Sequence, residues 1–145
     1  MTTEPMLFTL LAVDTAGIQS YIFGSNRLKE NIGASYLVKQ ATEDWAFDAL
    51  KAAAPNHNVR NGTLQNGPKI ENDGLDAEVL YAGGGNFIVL FRTPESAQAF
   101  TRTLSKKVLM DAPELRLDIY QECFKWTGNG LVPSQRRYNG YKLAF

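Results

Sequence analysis

Met6 to Val13 reads MLFTLLAV, an almost unbroken apolar run that stops at Asp14-Thr15-Ala16-Gly17. A run of that length, apolar on both faces and closed by a turn, predicts a buried central strand. Next comes a short helical turn ahead of a longer helix. Val38, Ala41, Trp45 and Ala49 recur at three- or four-residue intervals with Leu37 beside them. That spacing predicts one amphipathic helix from Gly33 to about Ala53, stopped by Pro55. Residues 55–76 are rich in Asn, Gly, Pro and Asp without periodicity, and predict a long loop or insertion. Ala77–Ala82 and Phe87–Arg92 predict two strands, joined through Gly83-Gly84-Gly85-Asn86 as a tight hairpin. Thr93-Pro94-Glu95 is a helix start with Thr93 as N-cap, and Ala97, Phe100, Leu104 and Val108 supply that helix's apolar face. Pro113 ends it, and Leu115 to Phe124 alternates as a strand. The order is βαββαβ, an α+β ferredoxin-like arrangement with an antiparallel sheet and two helices on one face.

Composition narrows the class. The chain's 145 residues suit one domain, and 44% hydrophobic with 21% charged residues is a globular balance. Fifteen basic residues match fifteen acidic ones, which argues against a whole-surface basic field for nucleic acid. One cysteine and one histidine exclude an intramolecular disulfide and a Cys/His zinc cluster. The apolar runs fall short of the roughly 18 residues a membrane span needs, and no signal peptide opens the chain. The expectation is a soluble cytoplasmic domain without membrane contact. Charge is uneven, however. Residues 125–145 carry Lys125, Arg136, Arg137 and Lys142 with no acid, interleaved with Trp126, Tyr138, Tyr141 and Phe145. They read as a basic aromatic tail distinct from a body at 1–124. Such a tail suits either the start of a neighbouring domain or an RNA contact through Arg136, Arg137 and Tyr138.

In a βαββαβ sheet the first and third strands are neighbours, so Asp14 at the end of the first comes close to Gly83–Asn86. Carboxylates from that strand end and that hairpin are how a two-metal nucleotidyl-transfer site is assembled. Glycines there let backbone N–H groups approach a phosphate or base. Spacing alone leaves two bland readings open: Asp14 as a helix N-cap, and the glycines as a tight turn only.

Val13 to Val38 (VDTAGIQSYIFGSNRLKENIGASYLV) followed by Leu80 to Phe91 (LYAGGGNFIVLF) resembles the first palm domain of the large polymerase-like subunit of type III CRISPR effector complexes. The likeness covers roughly residues 6–124. It implies a palm related to the nucleotide-cyclase and GGDEF folds, packed against a second palm with ATP between them. It also implies oligoadenylate synthesis as an antiviral signal once target RNA is bound. The family's catalytic Gly-Gly-Asp-Asp hairpin lies in the second palm, and this chain has Gly83-Gly84-Gly85-Asn86 at the matching place. Gly85 offers no ligand, and Asn86 offers a neutral amide where a carboxylate would hold Mg²⁺.

The expectation is therefore an ATP-binding pseudo-palm with no catalytic residue of its own. The resemblance sets Gly17, Ile18 and Gln19 at a phosphate-facing turn. Ser35 suits a phosphate or ribose contact or a purely structural place, and Asp14, Gly83, Gly84, Gly85 and Asn86 complete the nucleotide site. Any Mg²⁺ would sit on Asp14. Expected partners are a second palm domain or a homodimer, CRISPR effector subunits, and guide or target RNA. The alternative is an architectural pairing or RNA-contacting module that binds no nucleotide. Among the other residues, Tyr21, Ile22, Phe23 and Trp45 read as core and Cys123 as a buried small hydrophobe. His57 reads as exposed, and Asn26, Arg27 and Lys29 as a solvated basic loop.

Overall fold

In the computed structural model, which describes residues 6–128, 130–133 and 143–144, the opening apolar run forms β1 (Met6–Thr15). Three helices follow: α1 (Ile18–Phe23), α2 (Leu28–Thr42) and α3 (Asp44–Ala53). A small hairpin, β2 (Val59–Arg60) with β3 (Thr63–Leu64), precedes β4 (Ala77–Gly83) and β5 (Asn86–Phe91). Then come α4 (Pro94–Asp111), β6 (Leu117–Trp126), β7 (Leu131–Pro133) and β8 (Leu143–Ala144). The main sheet runs β4-β5-β1-β6, antiparallel throughout, which is the ferredoxin-like order. Both β7 and β8 add to the outer edge of β6. No helix among the described residues is long and apolar enough to cross a membrane.

Alternation sorts β1 into two faces. Leu11 and Val13 join Phe87, Val89, Phe91, Leu117 and Ile119 in a core covered by the helices. Phe100 of α4 stacks on Phe87 with ring centroids 5.5 Å apart, and Phe47 of α3 meets Phe87 edge-on at 5.9 Å. Each such ring, once buried, contributes roughly 1.5–3 kcal/mol. Thr93 caps α4 as expected, its hydroxyl accepting from the Ser96 amide at 3.2 Å with Pro94 in the first turn.

Several expectations change. The single helix 33–53 is two helices, because α2 starts at Leu28 and the chain turns out of helix at Glu43 (φ −125°, ψ −83°). Just before the break, the buried Thr42 hydroxyl donates back to the Val38 carbonyl at 2.9 Å, a bond that bends helices. The buried positions Val38, Ala41, Thr42, Ala46, Ala49 and Leu50 keep one helical period across the break, and Trp45 packs half-buried against the core with Lys107 5.4 Å over its ring. The segment 55–76 is packed rather than a featureless loop: Ile70 and Leu75 cover Phe8 and Leu90 on the far face of the sheet. Within the same segment His57 is half-buried, not exposed, and its Nδ1 accepts from the Val59 amide at 3.1 Å. Finally, Phe23 is exposed while Tyr21 and Ile22 only flank the core, and Cys123 is half-buried. Arg136, Arg137 and Tyr138 lie outside the described residues.

Candidate functional site

The end of β1 is held from both sides. Thr15 is buried, and its amide and its hydroxyl both donate to the Gly85 carbonyl, at 3.0 and 2.9 Å. On the other side, the Ala16 amide donates to the Arg116 carbonyl at 2.9 Å. Together these bonds fix Asp14 in register with Asn86 on β5 and with Asp118 on β6.

The three side chains lie on the sheet face opposite the helices, since their neighbours Val13, Phe87, Leu117 and Ile119 point into the helix-covered core. Asp14 is exposed and Asn86 and Asp118 half-buried. Arg116 is the nearest cation to Asp118, with Nε 3.8 Å from Oδ1. Further along this face the Tyr120 hydroxyl donates to Glu122 at 2.9 Å, and the carboxylate raises the phenol's pKa above its ordinary value. Among the described residues, three carboxylates stand against one guanidinium on this face, an unfavourable set for RNA phosphates.

Gly84 and Gly85 form the two-residue turn of the β4–β5 hairpin, both with positive φ (60° and 85°), as its twist requires. Gly85 is buried against Ile18, and a Cβ there would collide with Ile18 Cδ1. Above Gly83 stand the Tyr81 hydroxyl and the Glu43 carboxylate, 3.8 and 3.9 Å from where its Cβ would be. The break between α2 and α3 is what brings Glu43 to this hairpin.

Among the expected residues, Asp14, Gly83, Gly84, Gly85 and Asn86 come together, with Gly17 and Ile18 adjoining. Asp14 does not cap α1; that place is taken by Gly17 in a left-handed conformation (φ 63°) with no side-chain cap. Ile18 turns its side chain into the core, and its neighbour Gln19 is exposed. Ser35 is exposed on α2 and makes no hydrogen bond to the hairpin. Sequence reasoning missed Thr15, Glu43, Tyr81 and Asp118. Alternation along Leu115–Phe124 carries the signal for Asp118; nothing in the sequence signals Glu43, whose place depends on the helix break. Among the described residues no three His, Cys, Asp or Glu side chains gather as a metal site. Two carboxylates and an amide are too few donors for a two-ion centre, so no chemical step is assigned to one.

No protein-family model and no curated protein matches the chain. Solved structures do match its fold. A Csm1–Csm4 cassette in complex with one ATP aligns with a TM-score of 0.55 at 13% identity, over 86% of this chain and 17% of the matched one. The cassette in complex with AMPPNP gives 0.55 at 16% identity, over 82% and 15%. With cA4 the values are 0.54 and 15%, over 86% and 15%. The fold is that of a Csm1-like palm domain. This bears out, at the level of fold, both the ferredoxin-like reading and the resemblance to a type III CRISPR palm. The chain spans about a sixth of the length of the chains it matches.

Proposed function

We propose that this Csm1-like palm is a nucleotide-binding domain, taking ATP, that does not catalyse transfer alone and completes its site with a second palm domain in an antiviral oligoadenylate synthase. The observation that carries the proposal is the row Asn86–Asp14–Asp118 at the end of β1, set beside a glycine hairpin whose carbonyl Thr15 grips twice. Exposed Asp14 and the amide of Asn86 are suited to a hydrated Mg²⁺ and a sugar or base, and the side-chain-free Gly84 to a phosphate. ATP, AMPPNP and cA4 in the matched cassettes support the same ligand class. On this reading other CRISPR effector subunits are partners, the setting is cytoplasmic, and RNA contact falls to residues 125–145, which carry Lys125, Arg136, Arg137 and Lys142 with no acid.

The test is calorimetric titration of the chain with ATP and Mg²⁺. Saturable binding is expected, weakened about tenfold (about 1.4 kcal/mol) by Asp14→Ala and abolished by Gly84→Glu, which adds charge and strain at the turn. Incubation with ATP and Mg²⁺ or Mn²⁺ should yield no oligoadenylate. Heat unchanged in both variants would overturn the assigned site, and absence of heat from the unaltered chain would overturn binding by this domain. Product formation would overturn its dependence on a second palm.

A further inference from the structure

Two regular elements are interrupted beside the hairpin, and each interruption aims an oxygen at the same point. In β4 one residue is added at Leu80, since Val79 pairs with Val89 while Tyr81 pairs with Ile88. In unbroken register Tyr81 would stand opposite Phe87, whose side chain is in the core. The bulge turns Tyr81 outward instead, where it is 50% exposed. The second interruption is the break between α2 and α3. There Glu43 is fixed from both sides, its amide donating to the Lys39 carbonyl at 2.9 Å and its carbonyl accepting from the Phe47 amide at 2.8 Å. The Tyr81 hydroxyl and Glu43 Oε1 come within 3.8 and 3.9 Å of the point a Gly83 Cβ would occupy. No other atom of the described residues, chain neighbours aside, lies within 4 Å of that point. Because residue 83 is glycine, the space is open to a ligand. Lys39 Nζ lies 3.9 Å from the other carboxylate oxygen, Oε2, which leaves Oε1 to face Gly83.

We infer that Glu43 and Tyr81 read the ribose of the nucleotide proposed above, and select a ribonucleotide over its 2′- or 3′-deoxy analogue. The inference rests on that reading and assigns it two further residues. A carboxylate only accepts hydrogen bonds, so the group that settles against Glu43 is a donor. A phosphate oxygen is refused, because two anions at that distance repel. Gly84, the phosphate position, is one residue away, about 3.8 Å along the backbone. A step that short from a phosphate reaches the sugar and not the base, whose amino group is the nucleotide's other donor. Ribose offers two neighbouring hydroxyls. One donates to Glu43 Oε1, and the other pairs with the Tyr81 hydroxyl, which both donates and accepts. Asn86 is the partner of Gly83 across the hairpin, so its amide adjoins the same sugar.

Exposure sets the size of the effect. The Glu43 side chain is 29% exposed and Tyr81 50%, so water partly replaces a missing hydroxyl. A hydrogen bond to a charged group in such a place is worth about tenfold in affinity, and one to the tyrosine less.

The test is calorimetric titration with ATP, 2′-deoxy-ATP and 3′-deoxy-ATP, each with Mg²⁺. ATP should bind tightest, with at least one deoxy analogue about tenfold weaker. In Glu43→Ala that preference should collapse toward unity, and in the near-isosteric Tyr81→Phe it should shrink. The ratio of ATP to analogue is the readout, because changes of fold or of charge near the triphosphate move both ligands together. Equal affinities for ATP and both analogues in the unaltered chain would overturn the ribose assignment and leave nucleotide binding standing. A preference untouched by both variants would overturn the choice of Glu43 and Tyr81. Absence of heat from ATP would overturn the underlying reading, and this inference with it.

Discussion

Gly85 ties three elements together at one residue. Its carbonyl is the acceptor for both Thr15 donors, its Cα lies against Ile18 of α1, and its φ of 85° is open to few residues other than glycine. A methyl group there meets Ile18 Cδ1, with Val38 Cγ1 3.4 Å away, so strain and displacement add. Gly84 shares the positive φ, but a Cβ there would have only the Tyr81 hydroxyl near it, at 3.6 Å. Gly85→Ala should therefore cost about 2–3 kcal/mol, and Gly84→Ala about 1 kcal/mol from backbone strain alone. Urea unfolding of the two variants measures the difference, and equal losses would show that Ile18 yields without cost.

At the scale of elements, the segment ahead of β4 protects the sheet's edge with a side chain instead of a strand. Buried Asn58 accepts from the Val79 amide at 2.7 Å and donates to the Val79 and Gln65 carbonyls at 3.0 and 3.1 Å. Its neighbour His57 bridges to Ala77, and burial, reinforced by Lys51 and Arg60, lowers its pKa below the ordinary 6.5. The unfolded chain thus takes up the proton more readily than the folded one. His57 leaves stability intact above pH 6.5 and subtracts from it as pH falls toward the lowered folded value. The melting temperature should drop on acidification below pH 6.5, and His57→Asn, which keeps an acceptor for the Val59 amide, should flatten that drop. Parallel profiles would show that His57 is not the group responsible. None of this is legible from periodicity, because β2 and β3 have two residues each and Asn58 works through its amide. β1, the hairpin and α4 are legible, since alternation, the glycines and the Thr93-Pro94 cap are local signals. The break at Glu43 is not, because Thr42 bonding back to Val38 is a property of the packed helix.

Across the whole molecule the two sheet faces are treated differently. Helices cover most of one face, and among the described residues the segment 69–76 covers only the part of the other around Phe8 and Leu90 and leaves Asp14 exposed. Arg92 fastens that cover. Its Nη2 donates to the Ile70 carbonyl at 2.7 Å, its Nε to the Leu75 carbonyl at 2.8 Å, and its guanidinium lies 5.7 Å over the Phe8 ring. From below, the buried Glu78 carboxylate accepts from the Ile70 amide at 2.9 Å, with Lys69 beside it at 3.9 Å. Arg92→Met keeps much of the apolar stem and deletes both hydrogen bonds, each worth about 1.5–3 kcal/mol when the donor is charged. Glu78 still holds the Ile70 amide, so the cover should loosen without the sheet opening. Hydrogen exchange then separates two architectures. If the cover is a local unit, Ile70 loses protection while Leu11 in the centre of β1 keeps most of its own, and the open Asp14 end binds as before. Equal losses at Ile70 and Leu11 would make cover and sheet one cooperative body, in which Arg92 acts on the Asp14 end as well.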